Sequence, residues 1–230
     1  MKIFLRYGFT AIALTFILSA FGAAQANAQI NEILKRMDEH YKALKSLQAD
    51  ISREINNPQL GDDPDKMSGT ISLLPGKGRN LSFRLDWTKP RTEIISVVNG
   101  QYVLYTPGIK QAYTGSSDSQ KVQGKGGNAL KVISMDKAEI KANYNIEYLG
   151  QETISGGTQT WHLKLTPKVK SDYKFADIWV DGNGMPLQAK ITQSNNTTDT
   201  ILLTNLKKNV SINGSIFKVS LPKGTNIIKG

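Results

Sequence analysis

Short segments in which apolar and polar residues alternate run through most of this chain and constrain its fold more than any other feature. Residues two apart in a β-strand point to the same face, so a period of two predicts strands with one apolar face. The apolar positions are Leu47, Ala49 and Ile51; Leu81, Phe83, Leu85 and Trp87; Trp161, Leu163 and Leu165; Leu187, Ala189 and Ile191; and Phe217, Val219 and Leu221. Turn signals such as Asn99-Gly100 and Asp181-Gly182-Asn183-Gly184 separate some of these segments. The pattern predicts one antiparallel sheet, curled or closed.

Two regions have helical spacing instead. Apolar residues recur at steps of three and four from Ile30 to Leu44, which predicts an amphipathic helix that gives way to a strand near Leu47. In the middle of the chain, residues 129–133 have the same spacing, and Asp136 with Glu139 forms a capping-box pattern that opens a second short helix. Residues 108–127 are polar and rich in Gly and Ser, which predicts a mobile loop before these helices.

The N-terminal segment predicts export. Lys2 and Arg6 precede an apolar stretch from Phe9 to Ala20, and Ala26-Asn27-Ala28 matches the small-x-small pattern at which signal peptidase cleaves. The stretch is shorter than the ~20 residues that span a bilayer. We therefore predict a signal peptide over residues 1–28, one domain over residues 29–230, and a periplasmic location. An uncleaved N-terminal anchor is the alternative.

Charge and cysteine content narrow the classes of partner. The formal net charge is +10, and it falls to +8 without Lys2 and Arg6, because residues 1–28 contain no acid. The basic residues are scattered rather than clustered with aromatic residues, which argues against nucleic acid as a partner. The chain has no cysteine, so disulfides, thiolate metal sites and acylation of a lipoprotein cysteine are excluded.

Signals for catalysis are weak, and we predict a protein that is not an enzyme and uses no cofactor or metal. His40 and His162 have no catalytic partner at a recognisable spacing, and we interpret both as surface residues. The Gly- and Lys-containing turns at 76–78 and 124–127 do not match a phosphate-binding loop. The turn at 181–184 lacks the spacing of a calcium loop.

The apolar strand faces leave two interpretations open. Either the helices pack on them as an ordinary core, or part of the surface remains a groove for an apolar ligand. In the second case the candidate lining residues are Leu81, Phe83, Leu85, Trp87, Tyr105, Trp161, Leu163 and Trp179. The candidate contacts of a helical lid are Ile33, Met37, Leu130 and Ile133.

These residues are arranged in an order that resembles the LolA-type family of periplasmic lipoprotein carriers. The resemblance covers nearly the whole chain after residue 28, and its motifs are distributed rather than concentrated in one signature. They are Tyr41-Lys42-Ala43-Leu44-Lys45-Ser46-Leu47-Gln48-Ala49-Asp50, Gly69-Thr70-Ile71-Ser72-Leu73, Phe83-Arg84-Leu85-Asp86-Trp87-Thr88-Lys89-Pro90, Val98-Asn99-Gly100-Gln101-Tyr102-Val103-Leu104-Tyr105-Thr106-Pro107, Leu165-Thr166-Pro167-Lys168, Ile178-Trp179-Val180-Asp181 and Leu221-Pro222-Lys223-Gly224-Thr225.

The resemblance implies a mainly β fold, a single-domain incomplete antiparallel β-barrel covered by the N-terminal helix and short midchain lid helices. It implies a monomer that shields lipoprotein acyl chains between an inner-membrane lipoprotein-releasing transporter and an outer-membrane acceptor. In the family, an Arg before a Pro in the turn between the second and third strands latches the lid. Here Leu74 precedes Pro75, and Arg79 or Arg84 is the candidate replacement.

Two other functions fit the same fold. One is a module that senses lipid or envelope stress, and the other is a carrier of free lipids. A fused second domain or a membrane anchor would favour the sensing module, and neither is visible in the sequence. No sequence feature excludes a carrier of free lipids.

Overall fold

The computed structural model describes residues 8–61, 63–76, 81–117 and 128–229, with side chains from Gln25 onward in the first helix and from Ala129 onward in the second. Three α-helices lie within these residues: α1 (Gly8–Ala43), α2 (Asn128–Ser134) and α3 (Lys137–Asn143). The same residues contain twelve strands: β1 (Leu47–Asn56), β2 (Asp65–Leu74), β3 (Ser82–Lys89), β4 (Glu93–Val98), β5 (Gln101–Thr106), β6 (Gln111–Ser116), β7 (Tyr144–Thr153), β8 (Gln159–Pro167), β9 (Tyr173–Asp181), β10 (Pro186–Gln193), β11 (Thr198–Lys208) and β12 (Asn226–Lys229).

All the described strands belong to one sheet, in the order β12-β6-β5-β4-β3-β2-β1-β11-β10-β9-β8-β7. Neighbouring strands are antiparallel except β12, which pairs with β6 in parallel. Because β12 and β7 do not pair with each other, the sheet stays open. An open, mainly β fold with one N-terminal helix and two short midchain helices confirms the predicted fold class.

Several local predictions are also confirmed. The chain leaves α1 at Ala43 and starts β1 at Leu47, where the apolar period changes from three or four to two. Asn99 and Gly100 join β4 to β5 with φ values of 50° and 74°, as a tight hairpin turn with two positive φ angles requires. Asp136 caps α3, where its side chain accepts from the Glu139 backbone N–H, in a complete capping box.

Two predictions about the strands are wrong. Residues 111–116 form β6 although composition predicted a loop from residue 108, because pairing with β5 and β12 satisfies their backbone groups whatever their side chains. Residues 217–221 alternate like a strand, but Phe217 ends a short 3₁₀ helix (Gly214–Phe217) and the last strand starts at Asn226. The sheet also contains one parallel pair. Residues 118–127, the rest of the predicted loop, lie outside the described residues.

The buried apolar side chains form two clusters. The helix cluster joins Ile30, Ile33, Leu34 and Met37 of α1, Ala129 and Val132 of α2 and Ile140 of α3 to Tyr144, Leu163, Leu165, Ala176, Ile178, Val180, Ala189, Ile191 and Ile201. The sheet cluster consists of Leu47, Ala49, Ile51, Ile71, Leu85, Trp87, Ile95, Val97, Tyr102, Leu104, Ile154, Trp179, Met185, Leu187 and Leu203. The helices therefore cover the β7–β11 half of the sheet, while most of the sheet cluster comes from β1–β5.

None of the helices, within the residues that the structure describes, has the length and apolar character needed to cross a bilayer.

Candidate functional site

Most of the predicted cavity residues share one face of the sheet. Residues directly opposite in antiparallel strands point to the same side, and Leu85 is opposite Ile95, which is in turn opposite Leu104. In the other half of the sheet, Leu163 is opposite Ile178, which packs with the helices on this same face. We call this helix-covered side the inner face. It carries Phe83, Leu85, Trp87, Trp161 and Leu163, and Leu81 is half-buried immediately before β3.

Tyr105 and Trp179, however, point to the opposite, outer face, which corrects their assignment as cavity residues. Tyr105 is opposite Ile94 and Ala112, one position out of phase with Leu104. Trp179 lies between Ile178 and Val180, so the alternation of β9 turns it outward. Its ring stacks on His162 at 4.3 Å between centroids, and its Nε1–H donates to Glu152 at 2.8 Å. Aromatic character alone did not reveal strand parity.

The first helix is fixed to the sheet by polar and apolar contacts together. Arg36 donates to the carbonyl of Gly182 in the β9–β10 turn at 3.0 Å, and its guanidinium carbon lies 5.3 Å from the centre of the Trp161 ring. The two predicted lid residues of this helix, Ile33 and Met37, are buried in the helix cluster. α1 is therefore a fixed wall of the inner face rather than a loosely attached cover.

The second helix is attached differently. Ala129 and Val132 are buried in the helix cluster, and the predicted lid residues Leu130 and Ile133 are partly buried against it. Leu130 also packs on the sheet cluster, so it touches both halves of the core. The described side chains of α2 make no hydrogen bond or ion pair to the sheet; Ser134 donates only to the Lys131 carbonyl within the helix. Apolar packing alone holds this seven-residue helix on the inner face.

Two polar groups in the sheet cluster are buried without a partner. The Trp87 side chain is 0% exposed and the Tyr102 side chain 1%, and neither Trp87 Nε1 nor the Tyr102 hydroxyl has a hydrogen-bond partner in the structure. In the helix cluster, by contrast, the hydroxyls of Tyr144 and Tyr173 lie 2.6 Å apart, and burial raises the pKa of Tyr173 above its ordinary value. An unsatisfied buried polar group costs about 1–3 kcal/mol of folding free energy. The inner face therefore holds two hydrogen-bond donors that a bound ligand would satisfy.

The candidate lid latch has another role in this structure. Arg84 lies on the outer face, pairs with Asp86 at 2.7 Å, and donates to the Ile216 carbonyl at 2.8 Å. Ser96, opposite Arg84 in β4, donates to the Phe217 carbonyl at 2.5 Å. These contacts hold the C-terminal segment against the outer face, so Arg84 does not contact the lid helices. The other candidate, Arg79, lies outside the described residues.

A buried ion pair on the inner face was not anticipated from the sequence. Arg53 donates from Nε and Nη2 to the two carboxylate oxygens of Asp199, at 2.8 Å and 2.7 Å, and the Arg53 side chain is only 5% exposed. Both residues occupy apolar-phase positions of their strands, where sequence patterns predict aliphatic side chains. An Arg in the apolar phase of a strand, with an Asp in the same phase of a later strand, was the available signal.

Glu152, His162 and Asp177 form a polar cluster on the outer face. The two ring nitrogens of His162 lie 3.0 Å from Glu152 and 3.0 Å from Asp177, which makes this residue a bridge across β7, β8 and β9 rather than the free surface residue we predicted. Within the described part of the chain, no Ser or Thr side chain contacts His162. Nor do any three His, Asp or Glu side chains of the described chain form a metal site.

In this conformation the predicted cavity residues Leu85, Trp87 and Leu163 are fully buried. Two hollows on the described surface have volumes of about 240 Å³ and 340 Å³, and none of the eight predicted cavity residues lines either one. The first is lined largely by outer-face residues of β1, β10 and β11, and the second lies between α1, α3 and the start of β7. Access to the sheet cluster would therefore require a covering element to move.

A curated relative and two solved structures are similar to this chain. The uncharacterized protein MJ0687 of Methanocaldococcus jannaschii is 24% identical over 97% of this chain, and the chain spans about three fifths (61%) of that protein's length. An uncharacterized conserved protein of Thermus thermophilus has a TM-score of 0.57 at 12% identity, covering 88% of this chain and 99% of that one. The structure of MucB gives 0.56 at 14% identity, covering 84% and 63%. At these identities the two structures show a shared fold.

The family comparison identifies the chain more closely. The sequence profile described as outer membrane lipoprotein carrier protein LolA matches residues 45–220, which is most of the chain. The matched range runs from the end of α1 to the C-terminal segment on the outer face, and so includes the inner face and both midchain helices. The predicted resemblance is thus confirmed, and the chain belongs to the LolA family of outer membrane lipoprotein carrier proteins.

Proposed function

We propose that this protein is a periplasmic carrier that binds lipoprotein acyl chains noncovalently on its inner face and moves them from the inner to the outer membrane. Membership of a carrier family supports this function, and so does the predicted export signal over residues 1–28. The protein would receive its cargo from an inner-membrane lipoprotein-releasing transporter and pass it to an outer-membrane acceptor. It would act as a monomer and perform no chemistry on the cargo.

The observation that carries the proposal is the way α2 sits on the core. Its Leu130 side chain packs on both clusters, yet no described side chain of α2 has a polar bond to the sheet. Displacing α2 breaks apolar contacts but strands no buried ion pair or hydrogen bond. A bound acyl chain would replace those apolar contacts with its own. We therefore assign α2 as the lid, with α1 and α3 as its fixed frame.

The energetics of replacing α2 with an acyl chain favour a protein that can both bind its cargo and release it. Each buried methylene contributes about 0.8 kcal/mol, so a long acyl chain gains much by leaving water. Closing α2 over the empty face recovers part of the same apolar burial, which would lower the cost of releasing the cargo. The unpartnered Trp87 Nε1–H and Tyr102 hydroxyl could each donate to an ester or amide carbonyl of the acylated cysteine.

Site-specific photocrosslinking in living cells tests the proposal. Phe83 and Val103 are both half-buried, but Phe83 lies on the inner face, whereas Val103 is opposite Ser96 on the outer face. A benzophenone amino acid at Phe83 should capture lipoproteins, and the same group at Val103 should not. Equal capture at the two positions, or none at Phe83, would show that the inner face does not carry acyl chains.

Mass spectrometry of the captured material distinguishes the other functions of this fold. A carrier of free lipids would yield phospholipid or another lipid without attached protein. A sensing module would yield a single envelope protein rather than a range of lipoproteins. Either result would replace the lipoprotein carrier as the function of this chain.

A further inference from the structure

The hollow of about 340 Å³ beside α1 contains a concentration of positive charge. Lys141 from the end of α3 and Lys168 just beyond β8 contribute their side chains to it, together with the amides of Asn31 and Asn145. Ile30 and Ile146 supply apolar surface, and none of the lining residues is Asp or Glu. We call this hollow the basic cleft.

The two ammonium groups of the cleft have only neutral partners. Lys141 Nζ donates to Asn31 Oδ1 at 2.7 Å, and Lys168 Nζ donates to the Lys141 carbonyl at 2.6 Å. No described carboxylate lies within ion-pair distance of either. Each ammonium keeps further N–H groups for a ligand, since a lysine has three donors. The backbone bond from Lys168 N to the Asn143 carbonyl at 2.9 Å fixes the position of this pair.

An exposed aliphatic residue follows directly in the chain. Val169 is 75% exposed and stands between Lys168 and Lys170 in the loop that joins β8 to β9. A lone apolar side chain flanked by lysines can enter the interfacial layer of a bilayer while the lysines contact anionic head groups. The loop therefore adds apolar and cationic surface beside the cleft.

The direction of α1 places the basic cleft next to the predicted export signal. The start of β7 and the end of β8 lie at the same end of the strands, and Asn27, Ile30 and Asn31 of α1 lie there. Further along the helix, Arg36 contacts the β9–β10 turn, which lies at the opposite end of the strands. The apolar stretch 9–20 precedes this part of the same helix. Until it is removed, an export signal in the inner membrane would hold the cleft at the bilayer surface.

We propose that the basic cleft binds the phosphate head group of an anionic phospholipid at a bilayer surface, with Val169 inserted beside it. Lys141 and Lys168 would hold the phosphate oxygens, and Asn31 or Asn145 would donate to them from the side. This site docks the protein on a membrane, independently of what the inner face carries. Cleavage after Ala28 would remove Asn27 from the lining of the cleft and leave the α-amino group of Gln29 beside it, which adds positive charge.

Vesicle co-sedimentation of the protein purified from the periplasm tests this site, after mass spectrometry has established its N-terminus. Wild type should bind vesicles of equal parts phosphatidylglycerol and phosphatidylcholine, and not phosphatidylcholine alone. The K141Q/K168Q variant should bind the anionic vesicles at least about tenfold more weakly, since each lysine near an anionic membrane surface contributes to the binding free energy. K207Q/K208Q is the matched control, because it removes two charges where β11 ends, at the opposite end of the strands from the cleft.

The outcomes decide the proposal separately from the proposed function. Val169→Asp should weaken binding to anionic vesicles, whereas Leu149→Asp, a change at another exposed aliphatic residue, should not. Equal losses in the two double-lysine variants would mean that net charge alone attracts the protein, and would overturn the site. So would full displacement from vesicles by a few equivalents of inorganic phosphate, since the ligand would then be free phosphate. Lipoprotein capture at Phe83 does not enter this test.

Discussion

Gly184 lies directly against the backbone of Arg36. A Cβ atom added at this glycine would stand 2.2 Å from the Arg36 carbonyl oxygen and 2.7 Å from the Met37 nitrogen. The φ of Gly184 is +85°, in the region that favours glycine. The β9–β10 turn can therefore approach α1 closely enough for the Gly182 carbonyl to accept from Arg36. This contact fixes one end of α1 over the sheet.

Gly184→Ala should consequently destabilise the protein by about 3 kcal/mol or more, because it adds both a steric overlap with α1 and backbone strain. Chemical denaturation monitored by tryptophan fluorescence measures the change. Gly182→Ala is the matched control two residues away, since a Cβ there meets nothing within 4 Å. It should cost less than about 1 kcal/mol. Equal costs at the two positions would contradict the close packing of turn and helix.

The two midchain helices should differ in hydrogen exchange although each has seven residues. α3 has a capping box and is tied to α1 through Lys141, whereas α2 has apolar packing alone. Amides of residues 132–134 should therefore exchange about tenfold faster than those of residues 141–143. Mass spectrometry of short peptides resolves the two segments. Slower exchange in α2 than in α3 would contradict its assignment as the lid.

Removing one member of the buried ion pair should be costly. Arg53→Leu leaves the Asp199 carboxylate buried without its cation, so we expect a loss of about 3–5 kcal/mol in unfolding free energy. The double variant R53L/D199L should recover most of this loss, because no charge then stays buried. Lys66→Ala breaks an exposed pair with Glu54 and should change stability by less than about 0.5 kcal/mol. An Arg53→Leu variant as stable as Lys66→Ala would contradict the burial of the pair.

Stability should depend on pH through His40. Burial lowers the pKa of His40 below 6.5, the positive charge of Lys208 lowers it further, and Asp181 partly opposes both. As the pH falls through 6.5, the unfolded chain binds the proton before the folded one does, so the folded state loses stability. His40→Gln should remove this component. Chemical denaturation at several pH values from about 7.5 to about 5.5 measures this effect. As the pH falls, the unfolding free energy of the wild type should decrease relative to that of His40→Gln.

A constant difference between wild type and His40→Gln over that range would contradict the shifted titration. All other residues are the same in the two proteins, so their contribution cancels when the two are compared at each pH.

The sequence determined the elements whose residues satisfy local rules. The change of apolar period at Leu47 marks the end of a helix and the start of a strand, and the Asn99-Gly100 pair can adopt the two positive φ angles of a tight turn. Asp136 and Glu139 cap α3 from positions three residues apart. The ordered motifs from residue 41 to residue 225 also identified the family. The period change, the turn and the cap each depend on neighbours close in sequence, and the family motifs depend only on the order of residues along the chain.

Only the tertiary structure decided which face each strand turns inward and what covers it. Tyr105 and Trp179 lie on the outer face because pairing with adjacent strands sets the phase, and an aromatic side chain suits either face. β6 forms because β5 and β12 supply backbone partners, and Arg53 is buried because Asp199, 146 residues away, neutralises it. These features depend on contacts between distant segments, whose energies are not encoded in any local pattern of residues.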